Sequence, residues 1–343
     1  MKYRLLGKTG LRVSRLTLGT MTFGASNWGC DEKTSMRIIS RYLDAGGNCI
    51  DVADVYAGGL SEIIVGKFLK NAQRDKIILA SKAGFPVSQD PNHQGLSRAH
   101  LIDACNKSLK RLGTDYLDLF YLHLPDPTVP PEEMFHALDF LYKQGKIRYA
   151  GVSNFPVWEY TRLCVMAEKN GYISISAGQY LYNLIHRGPE EELFPAAKAF
   201  GTGLFAYSPL AGGMLTGKYK GMEKPVEGTR FSYREKTDGV RFWHERGKKI
   251  ADRVLEISEK SGIPPYKLAI GWNLSRSEIS SVIIGARTIE QFEKDIEIED
   301  SDLPEDVIDM LDKATSPIFS YESWLAREQA RAAKKQVEFF DAR

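Results

Sequence analysis

Four reactive side chains stand near the ends of three successive apolar segments of the sequence. Asp51 and Tyr56 lie in DVADVY, Lys82 in ILASKAG and His123 in LFYLHLPD. Reducing a carbonyl group requires a hydride on its carbon and a proton on the developing alkoxide. A phenol has a pKa of about 10, and a nearby ammonium favours the phenolate and lowers that value. We therefore expect Tyr56 to be the acid, with its pKa lowered by Lys82, which Asp51 holds in place.

The fourth group, His123, would orient the carbonyl and stabilise charge on its oxygen in the transition state. Taken singly, each of the four has an ordinary structural interpretation: a turn aspartate, a packed loop tyrosine, a solvated lysine or a hydrogen-bonded histidine. Their joint position at one rim is what favours a catalytic site.

The elements that must position these residues alternate between short apolar runs and segments of helical period. The predicted strands are Leu16–Gly19, Asn48–Asp51, Ile77–Ser81, Leu117–His123, Ile147–Ser153, Ser176–Tyr180, Gly203–Tyr207 and Ser281–Ile284. The first predicted helix begins after Asp31, which would be its N-cap, and ends at Ala45. The others are Ser61–Leu69, Arg98–Leu112, Pro131–Gln144, Val157–Asn170, Glu190–Phe200, Glu245–Ser261 and Tyr266–Leu274. A hairpin of Tyr3–Leu6 and Leu11–Val13 precedes them. This alternation predicts an α/β fold, a (β/α)8 TIM barrel, whose active site lies at the carboxyl ends of the strands.

Two segments interrupt the pattern. The segment 208–243 is too long for a simple strand-to-helix connection, and loops of this length are usually functional or disordered. Residues 316–343 form either a solvated extension or a flap over the barrel mouth. We expect a single barrel domain over residues 1–315, with residues 316–343 as a C-terminal tail.

Bulk properties exclude several classes of function. The formal net charge is +2, which gives no reason to expect nucleic acid or a membrane as a partner. The N-terminus lacks the apolar core of a signal peptide. The four cysteines are widely spaced, so neither a metal site nor disulfides are expected, and a cytoplasmic protein is the default. The oligomeric state stays open.

Seven motifs taken together resemble one family. The pieces are, in chain order, GKTGLRVSRLTLGTMTFG, IDVADVYAGGLSE, YLHLPD, GVSNFP, QYLYN, YSPLAGGMLTGKY and IIGARTIEQ. They resemble the aldo-keto reductases, in particular the branch that also contains the potassium-channel β subunits. The resemblance implies a barrel closed at its bottom by the N-terminal hairpin, a catalytic tetrad at Asp51, Tyr56, Lys82 and His123, and NADPH extended across the mouth.

The resemblance also implies the cofactor contacts. Ser153, Asn154 and Gln179 match positions that hold the nicotinamide carboxamide, and Tyr207 would line the ring. In the Gly-rich loop after the seventh strand, glycines let the backbone approach a pyrophosphate and Lys218 supplies a cation. The expected cofactor residues are Gly19, Thr20, Met21, Ser153, Asn154, Gln179, Tyr207, Ser208, Pro209, Leu210, Gly212, Leu215, Gly217, Lys218, Gly285, Arg287, Gln291 and Asp295.

The cofactor preference depends on Arg287. A guanidinium suits a phosphate dianion, so Arg287, with Gln291, would contact the adenosine 2′-phosphate and adenine and favour NADPH, with NADH as the alternative. The competing interpretation of Arg287 is a solvated residue at the start of a helix. Asp295 departs from the asparagine usual in the family and, as a carboxylate, could not donate to an adenine ring nitrogen.

Other departures remove no reacting group: Val52, Ala57 and Thr17 replace residues that are commonly smaller or glycine. Substrate contacts are less determined by the sequence. Loop residues that could form an apolar pocket wall, or simply pack, are Phe23, Trp28, Phe85, Pro125 and Phe155. The stretch RFSYREKTDGVRFWHER could form a belt over the cofactor or an exposed loop.

Three functional hypotheses follow. The leading one is an NADPH-dependent oxidoreductase that converts small aldehydes or ketones to alcohols, or the reverse. The second is a regulatory subunit that binds NADPH with little turnover, as in the channel β subunits. The third makes Lys82 the Schiff-base nucleophile of an aldolase-type barrel.

Overall fold

The computed structural model describes residues 1–225, 227–300 and 302–341. Its strands, in chain order, are β1 (Tyr3–Leu5), β2 (Arg12–Ser14), β3 (Leu16–Gly19), β4 (Cys49–Asp51), β5 (Ile78–Ala83), β6 (Leu117–Leu122), β7 (Ile147–Ser153), β8 (Ile175–Leu181), β9 (Gly203–Tyr207) and β10 (Ile279–Ile284). Strands β3 to β10 are parallel and close into one barrel, in which β10 pairs with β3. The predicted (β/α)8 barrel is confirmed.

Helices cover the outside of the barrel and its mouth. They are α1 (Glu32–Asp44), α2 (Leu60–Leu69), α3 (Arg98–Leu112), α4 (Pro131–Lys143), α5 (Val157–Asn170), α6 (Leu193–Phe200), α7 (Arg230–Tyr233), α8 (Val240–Phe242), α9 (Glu245–Ser261), α10 (Pro265–Leu274), α11 (Ile289–Ile296), α12 (Glu305–Ala314) and α13 (Tyr321–Asp341). Among the described residues, no helix combines the length and apolar character needed to cross a membrane.

Local signals in the sequence account for the helix ends. The Asp31 side chain accepts from the Thr34 N–H at 2.7 Å and caps α1 as predicted. Glycines in the left-handed conformation, such as Gly113 and Gly171, end several helices. The predicted start of α6 at Glu190 is wrong. The Glu190 carboxylate instead binds the Arg187 guanidinium at 2.6 and 2.9 Å, within a separate 3-10 turn.

The N-terminal hairpin of β1 and β2 closes the bottom of the barrel. Leu6 and Val13 are fully buried and pack against side chains from inside the barrel, such as Tyr121 and Phe205. The Arg4 guanidinium ties the hairpin to the wall through the carbonyls of Ile279, Arg276 and Leu274. The apolar plug therefore fills the bottom of the barrel, at the end opposite the mouth.

The two irregular segments are both structured where they are described. The long loop contains a 3-10 turn (Ala211–Thr216), α7, a π-helical turn (Glu235–Gly239) and α8. The tail forms α13, which the Arg327 guanidinium ties to the Glu190 carbonyl at 2.6 Å. No described residue of the tail lines the cavity at the mouth, and the division of the chain at residue 315 stays a prediction.

Leu6→Ala tests the plug. Leu6 is 0 % exposed, whereas its neighbour Leu5 is 51 % exposed and provides a matched control. Truncation of a buried leucine costs about 2–5 kcal/mol through lost burial and the cavity left behind. We expect Leu6→Ala to lower the free energy of unfolding by that amount in urea denaturation. Leu5→Ala should change it by less than about 0.5 kcal/mol. Equal losses in the two variants would contradict the closure of the barrel by Leu6.

Candidate active site

Three adjacent strands bring the predicted tetrad together at the mouth. Asp51 is the last residue of β4, Lys82 is the fifth residue of β5, and His123 follows β6 directly. Tyr56 begins the 3-10 turn Tyr56–Gly59 that follows β4. Because parallel strands in a barrel end at one rim, residues 72 positions apart in the chain become neighbours.

Lys82 is the centre of the hydrogen-bond network. Its ammonium is fully buried and donates to Asp51 Oδ2 at 2.7 Å, to the Val52 carbonyl at 2.8 Å and to the Tyr56 hydroxyl at 3.1 Å. Gln179 donates from Nε2 to the other Asp51 oxygen at 2.7 Å. These contacts hold the phenol oxygen in one place at the cavity surface.

The electrostatics of the tetrad correct one expectation. Burial raises the pKa of Tyr56 above its usual value, although the charge of Lys82 acts to lower it. The expected net lowering is therefore wrong: in a buried site the cost of exposing a phenolate to a low dielectric exceeds the effect of an ammonium that Asp51 already neutralises. The phenol consequently keeps its proton at neutral pH, which is the form that an acid requires.

Lys82 and His123 shift in opposite directions. Burial opposes charge on Lys82, but the Asp51 carboxylate outweighs it and the pKa of Lys82 is raised. Burial and the charge of Lys82 hold the pKa of His123 well below its usual value, so the imidazole is neutral. The site therefore contains a permanent ammonium, a protonated phenol and a neutral imidazole. A lysine held charged by three acceptors has no lone pair for a Schiff base, which opposes the aldolase hypothesis.

His123 is held by its neighbours rather than by the other tetrad members. Its ring lies edge-on to Phe85, with centroids 4.7 Å apart, and 6.1 Å from the Tyr56 ring. Asn154 donates from Nδ2 to the His123 carbonyl at 3.0 Å and accepts at Oδ1 from the Tyr207 hydroxyl at 2.7 Å. This chain of contacts links the ends of β6, β7 and β9.

A cavity of about 650 Å³ extends from the tetrad across the mouth. Tetrad residues Asp51, Tyr56 and His123 line it, and Lys82 lies just behind them. The expected cofactor and substrate residues that line it are Gly19, Met21, Ser153, Asn154, Gln179, Tyr207, Ser208, Pro209, Leu210, Gly212, Lys218, Gly285, Arg287, Gln291, Asp295, Trp28 and Phe85.

Several expected contacts do not line the cavity. Phe23 and Phe155 are buried in the hydrophobic core, and Leu215 packs there too. Thr20 is fully buried, and its hydroxyl donates to the Asp51 carbonyl at 2.9 Å. Gly217, as a left-handed residue ending a 3-10 turn, and Pro125 also lie outside the lining. Periodicity does not reveal which loop residues face a cavity, and these six lie outside its lining.

The structure adds lining residues that were not among the individually expected contacts. They are Thr22, Val55, Ala57, Gly213, Thr216, Arg230, Arg234, Arg241, Tyr266, Ile283, Ile284 and Lys294. The three arginines belong to the predicted belt, whose basic and aromatic composition was the only available signal. The belt forms short helical turns beside the cavity, although some of its side chains, such as Tyr233 and Val240, are exposed.

The far end of the cavity collects cations. Lys218, Arg287 and Lys294 all line it, and burial together with the charges of Arg287 and Arg230 lowers the pKa of Lys218. Gly213 has a φ of +97°, a conformation that favours glycine, and its backbone lies directly against the end of the Lys218 side chain. Cations gathered against a glycine backbone fit the phosphates of a dinucleotide.

Comparison with known proteins agrees with this geometry. The family model described as Aldo/keto reductase family matches residues 15–316. The chain belongs to that family.

Its relatives bear several kinds of name. It is 37 % identical to the uncharacterized oxidoreductase YrpG of Bacillus subtilis, covering 91 % of this chain and 95 % of that protein. A putative aryl-alcohol dehydrogenase of Schizosaccharomyces pombe is 33 % identical over 92 % of this chain and 96 % of its own length. A putative voltage-gated potassium channel subunit beta from the same yeast is 34 % identical, with 92 % and 90 % covered. The family and these names make the chain an oxidoreductase.

Two departures from the aldo/keto reductase pattern have structural consequences. Ala57, in place of glycine, adopts a φ of +49°, a conformation in which an L side chain is strained. Burial raises the pKa of Asp295 to about 7. Contrary to the expectation of a carboxylate that cannot donate, a substantial fraction of Asp295 carries a proton at neutral pH and can donate to a ring nitrogen.

Asp54 is another buried carboxyl of this aldo/keto reductase with a raised pKa, and it lies behind the tetrad. Burial and the neighbouring Glu62 carboxylate raise the pKa of Asp54 to about 7, against the charge of Arg111. Glu62 itself accepts from the Ser81 hydroxyl at 2.7 Å and from Arg111 Nε at 2.6 Å. Asp54 is thus the acidic group of this cluster that stays protonated below about pH 7.

Asp54→Asn tests that assignment. The folded state keeps a proton that the unfolded chain releases above about pH 4, so the free energy of unfolding of the wild type falls as pH rises from 4 to 7. The amide cannot ionise. We expect the stability of Asp54→Asn relative to wild type to increase over this range, by up to about 1.4 kcal/mol per pH unit, and to level off above it.

Urea denaturation at several pH values measures this difference. Asp252→Asn, at an exposed position of α9, is the control and should show no such rise. A relative stability of Asp54→Asn that is independent of pH would show that the buried carboxyl ionises as in the unfolded chain.

Proposed function

We propose that this protein is an NADPH-dependent reductase of small aldehydes and ketones in which Tyr56 protonates the carbonyl oxygen. The observation that carries the proposal is a single cavity with a lysine-bound phenol at one end and a glycine-backed cluster of cations at the other. The bound cofactor would supply the hydride. The residues of this chain supply its binding and the proton.

The proton step follows from the geometry of the tetrad. An alkoxide is a far stronger base than a phenolate, so a phenol with a raised pKa still transfers its proton downhill. The Lys82 ammonium, 3.1 Å away, then stabilises the phenolate that remains. Neutral His123 can donate a hydrogen bond to the carbonyl oxygen without competing as an acid. In the opposite direction Tyr56 would act as the phenolate, and its raised pKa makes that form scarce at neutral pH.

Cofactor binding divides along the cavity. Ser153, Asn154 and Gln179 lie beside the tetrad and would face the nicotinamide carboxamide. Lys218 and the adjacent glycines would bind the pyrophosphate. Arg287 would bind the adenosine 2′-phosphate, which is the argument for NADPH over NADH.

Tyr56→Phe tests the acid. The ring keeps its packing while the hydroxyl that Lys82 binds is lost. We expect the turnover number for an aromatic aldehyde panel to fall by about 10²–10⁴-fold, measured by NADPH absorbance. The dissociation constant for NADPH, measured by fluorescence titration, should change by less than about twofold. Unchanged turnover would overturn the assignment of Tyr56.

Arg287→Gln tests the cofactor preference. A charge-assisted contact with a phosphate is worth about 1.5–3 kcal/mol. We expect the KM for NADPH to rise at least about tenfold while the KM for NADH stays constant. Arg253→Gln, an exposed change on α9 away from the cavity, is the control. Equal effects on the two cofactors would show that Arg287 does not bind the 2′-phosphate.

A second candidate function is a cofactor-binding regulatory subunit, favoured by the relative named as a channel subunit beta. It shares the cavity and the cofactor site, and differs in having negligible turnover. The wild-type rates on the aldehyde panel distinguish the two functions.

The proposed location of the protein is the cytoplasm. All four cysteines are buried and unpaired, as is typical of proteins in a reducing compartment.

A further inference from the structure

The belt over the mouth carries more positive charge than its own acidic groups neutralise. Arg230, Arg234 and Arg241 all line the cavity and surround one buried carboxylate, Asp238. Nε of Arg230 lies 2.7 Å and Nε of Arg234 2.9 Å from Asp238 Oδ2, and Nη1 of Arg241 lies 3.7 Å from Oδ1. Glu235, in the same segment, is exposed and does not line the cavity. Three guanidiniums against one carboxylate leave a local excess of two positive charges.

The three arginines share one cavity with the tetrad and with the cation cluster. Arg230, Arg234 and Arg241 line the same cavity as Tyr56 and as Lys218 and Arg287. The charge of Arg234 is a minor influence that acts to lower the pKa of Tyr56, against the larger effect of burial. The excess charge therefore belongs to the cavity in which the substrate carbonyl would lie.

An aromatic wall accompanies the charges. The Arg234 guanidinium lies 5.0 Å from the centre of the Trp28 ring, and that of Arg230 lies 5.7 Å from it. Phe85 faces the same cavity beside His123. The space next to Tyr56 thus offers apolar faces for a carbon skeleton and guanidiniums at its edge.

Positive charge near Tyr56 does not strengthen the binding of a neutral substrate, so the position of these guanidiniums requires another explanation. A carboxylate matches the planar fork of an arginine and forms charge-assisted hydrogen bonds with it. We propose that Arg234 and Arg241 bind a carboxylate of the substrate, so that the protein acts on aldehydes or ketones that also carry an acidic group. This inference rests on the proposed reductase function and names its substrate class.

The test compares an anionic aldehyde with a neutral aldehyde of the same shape. The probes are 3- and 4-carboxybenzaldehyde and the methyl esters of both, assayed with saturating NADPH. We expect kcat/KM of the wild type for the better acid to exceed that for its ester by about tenfold or more, through a lower KM. The preference should weaken as salt is added, since ionic screening reduces attraction between partly exposed charges.

Variants then assign the preference to the two arginines. Arg234→Gln and Arg241→Gln should each reduce the acid-to-ester ratio by about tenfold, through a higher KM for the acid, and leave NADPH affinity within about twofold. Arg234→Lys, which keeps the charge, should restore part of the ratio. Lys236→Gln, an exposed change in the same turn, is the matched control and should leave the ratio as in the wild type.

Two results would overturn the inference. One is a wild-type enzyme that reduces acid and ester equally well. The other is a loss of NADPH affinity in both glutamine variants with equal losses on acid and ester, which would make these arginines a clamp on the cofactor phosphates.

A binding measurement separates this inference from the proposed reductase function. Calorimetry on NADP⁺-loaded protein with 3- and 4-(hydroxymethyl)benzoate, the alcohol products, needs no turnover. Selective binding of these acids over their methyl esters, lost in Arg234→Gln, together with no reduction of any aldehyde, would reject the reductase and keep the carboxylate site. Reduction of all aldehydes without selectivity would reject the carboxylate site and keep the reductase.

Discussion

Lys82 carries its charge at a fully buried position, and the surrounding mouth is arranged to make that possible. An ammonium taken out of water is costly unless it is paired and its protons are all bonded. Asp51, the Val52 carbonyl and Tyr56 accept from it at 2.7, 2.8 and 3.1 Å. Since Asp51 is buried too, its second oxygen needs a donor, which Gln179 provides from the far side of the barrel. One buried charge thus couples strands β4, β5 and β8.

This coupling explains how a phenol with a raised pKa can serve as the acid. The ammonium that would lower the pKa of Tyr56 is already paired with Asp51, so burial decides the direction of the shift. In the proposed reduction the phenol would stay protonated until an oxygen of higher proton affinity is close. Lys82 would then stabilise the phenolate without having to move.

Elsewhere in the cavity, cationic side chains are accompanied by fewer carboxylates than Lys82 is. In the cation cluster, Lys218, Arg287 and Lys294 line the cavity, as does Asp295, whose pKa is raised by burial to about 7. At the belt three arginines share Asp238. The charge of Lys82 is balanced by Asp51, whereas the charges of these other cations are not fully balanced within the protein. Under the proposed function the cation cluster would bind the cofactor phosphates, and the arginines of the belt would bind a substrate carboxylate.

The sequence by itself determined the barrel and the tetrad. Alternating apolar runs and amphipathic helices are local patterns, and a parallel closed sheet necessarily brings strand ends to one rim, so Asp51, Tyr56, Lys82 and His123 could be placed from order alone. Helices α3, α5 and α9 were predicted to the residue for the same reason, since their caps are local. Only the tertiary structure decided the direction of the pKa shift at Tyr56, the burial of Phe23 and Thr20, and the place of Arg234 and Arg241 at the mouth. Those properties depend on which atoms surround a side chain, and the surroundings come from segments far away in the chain.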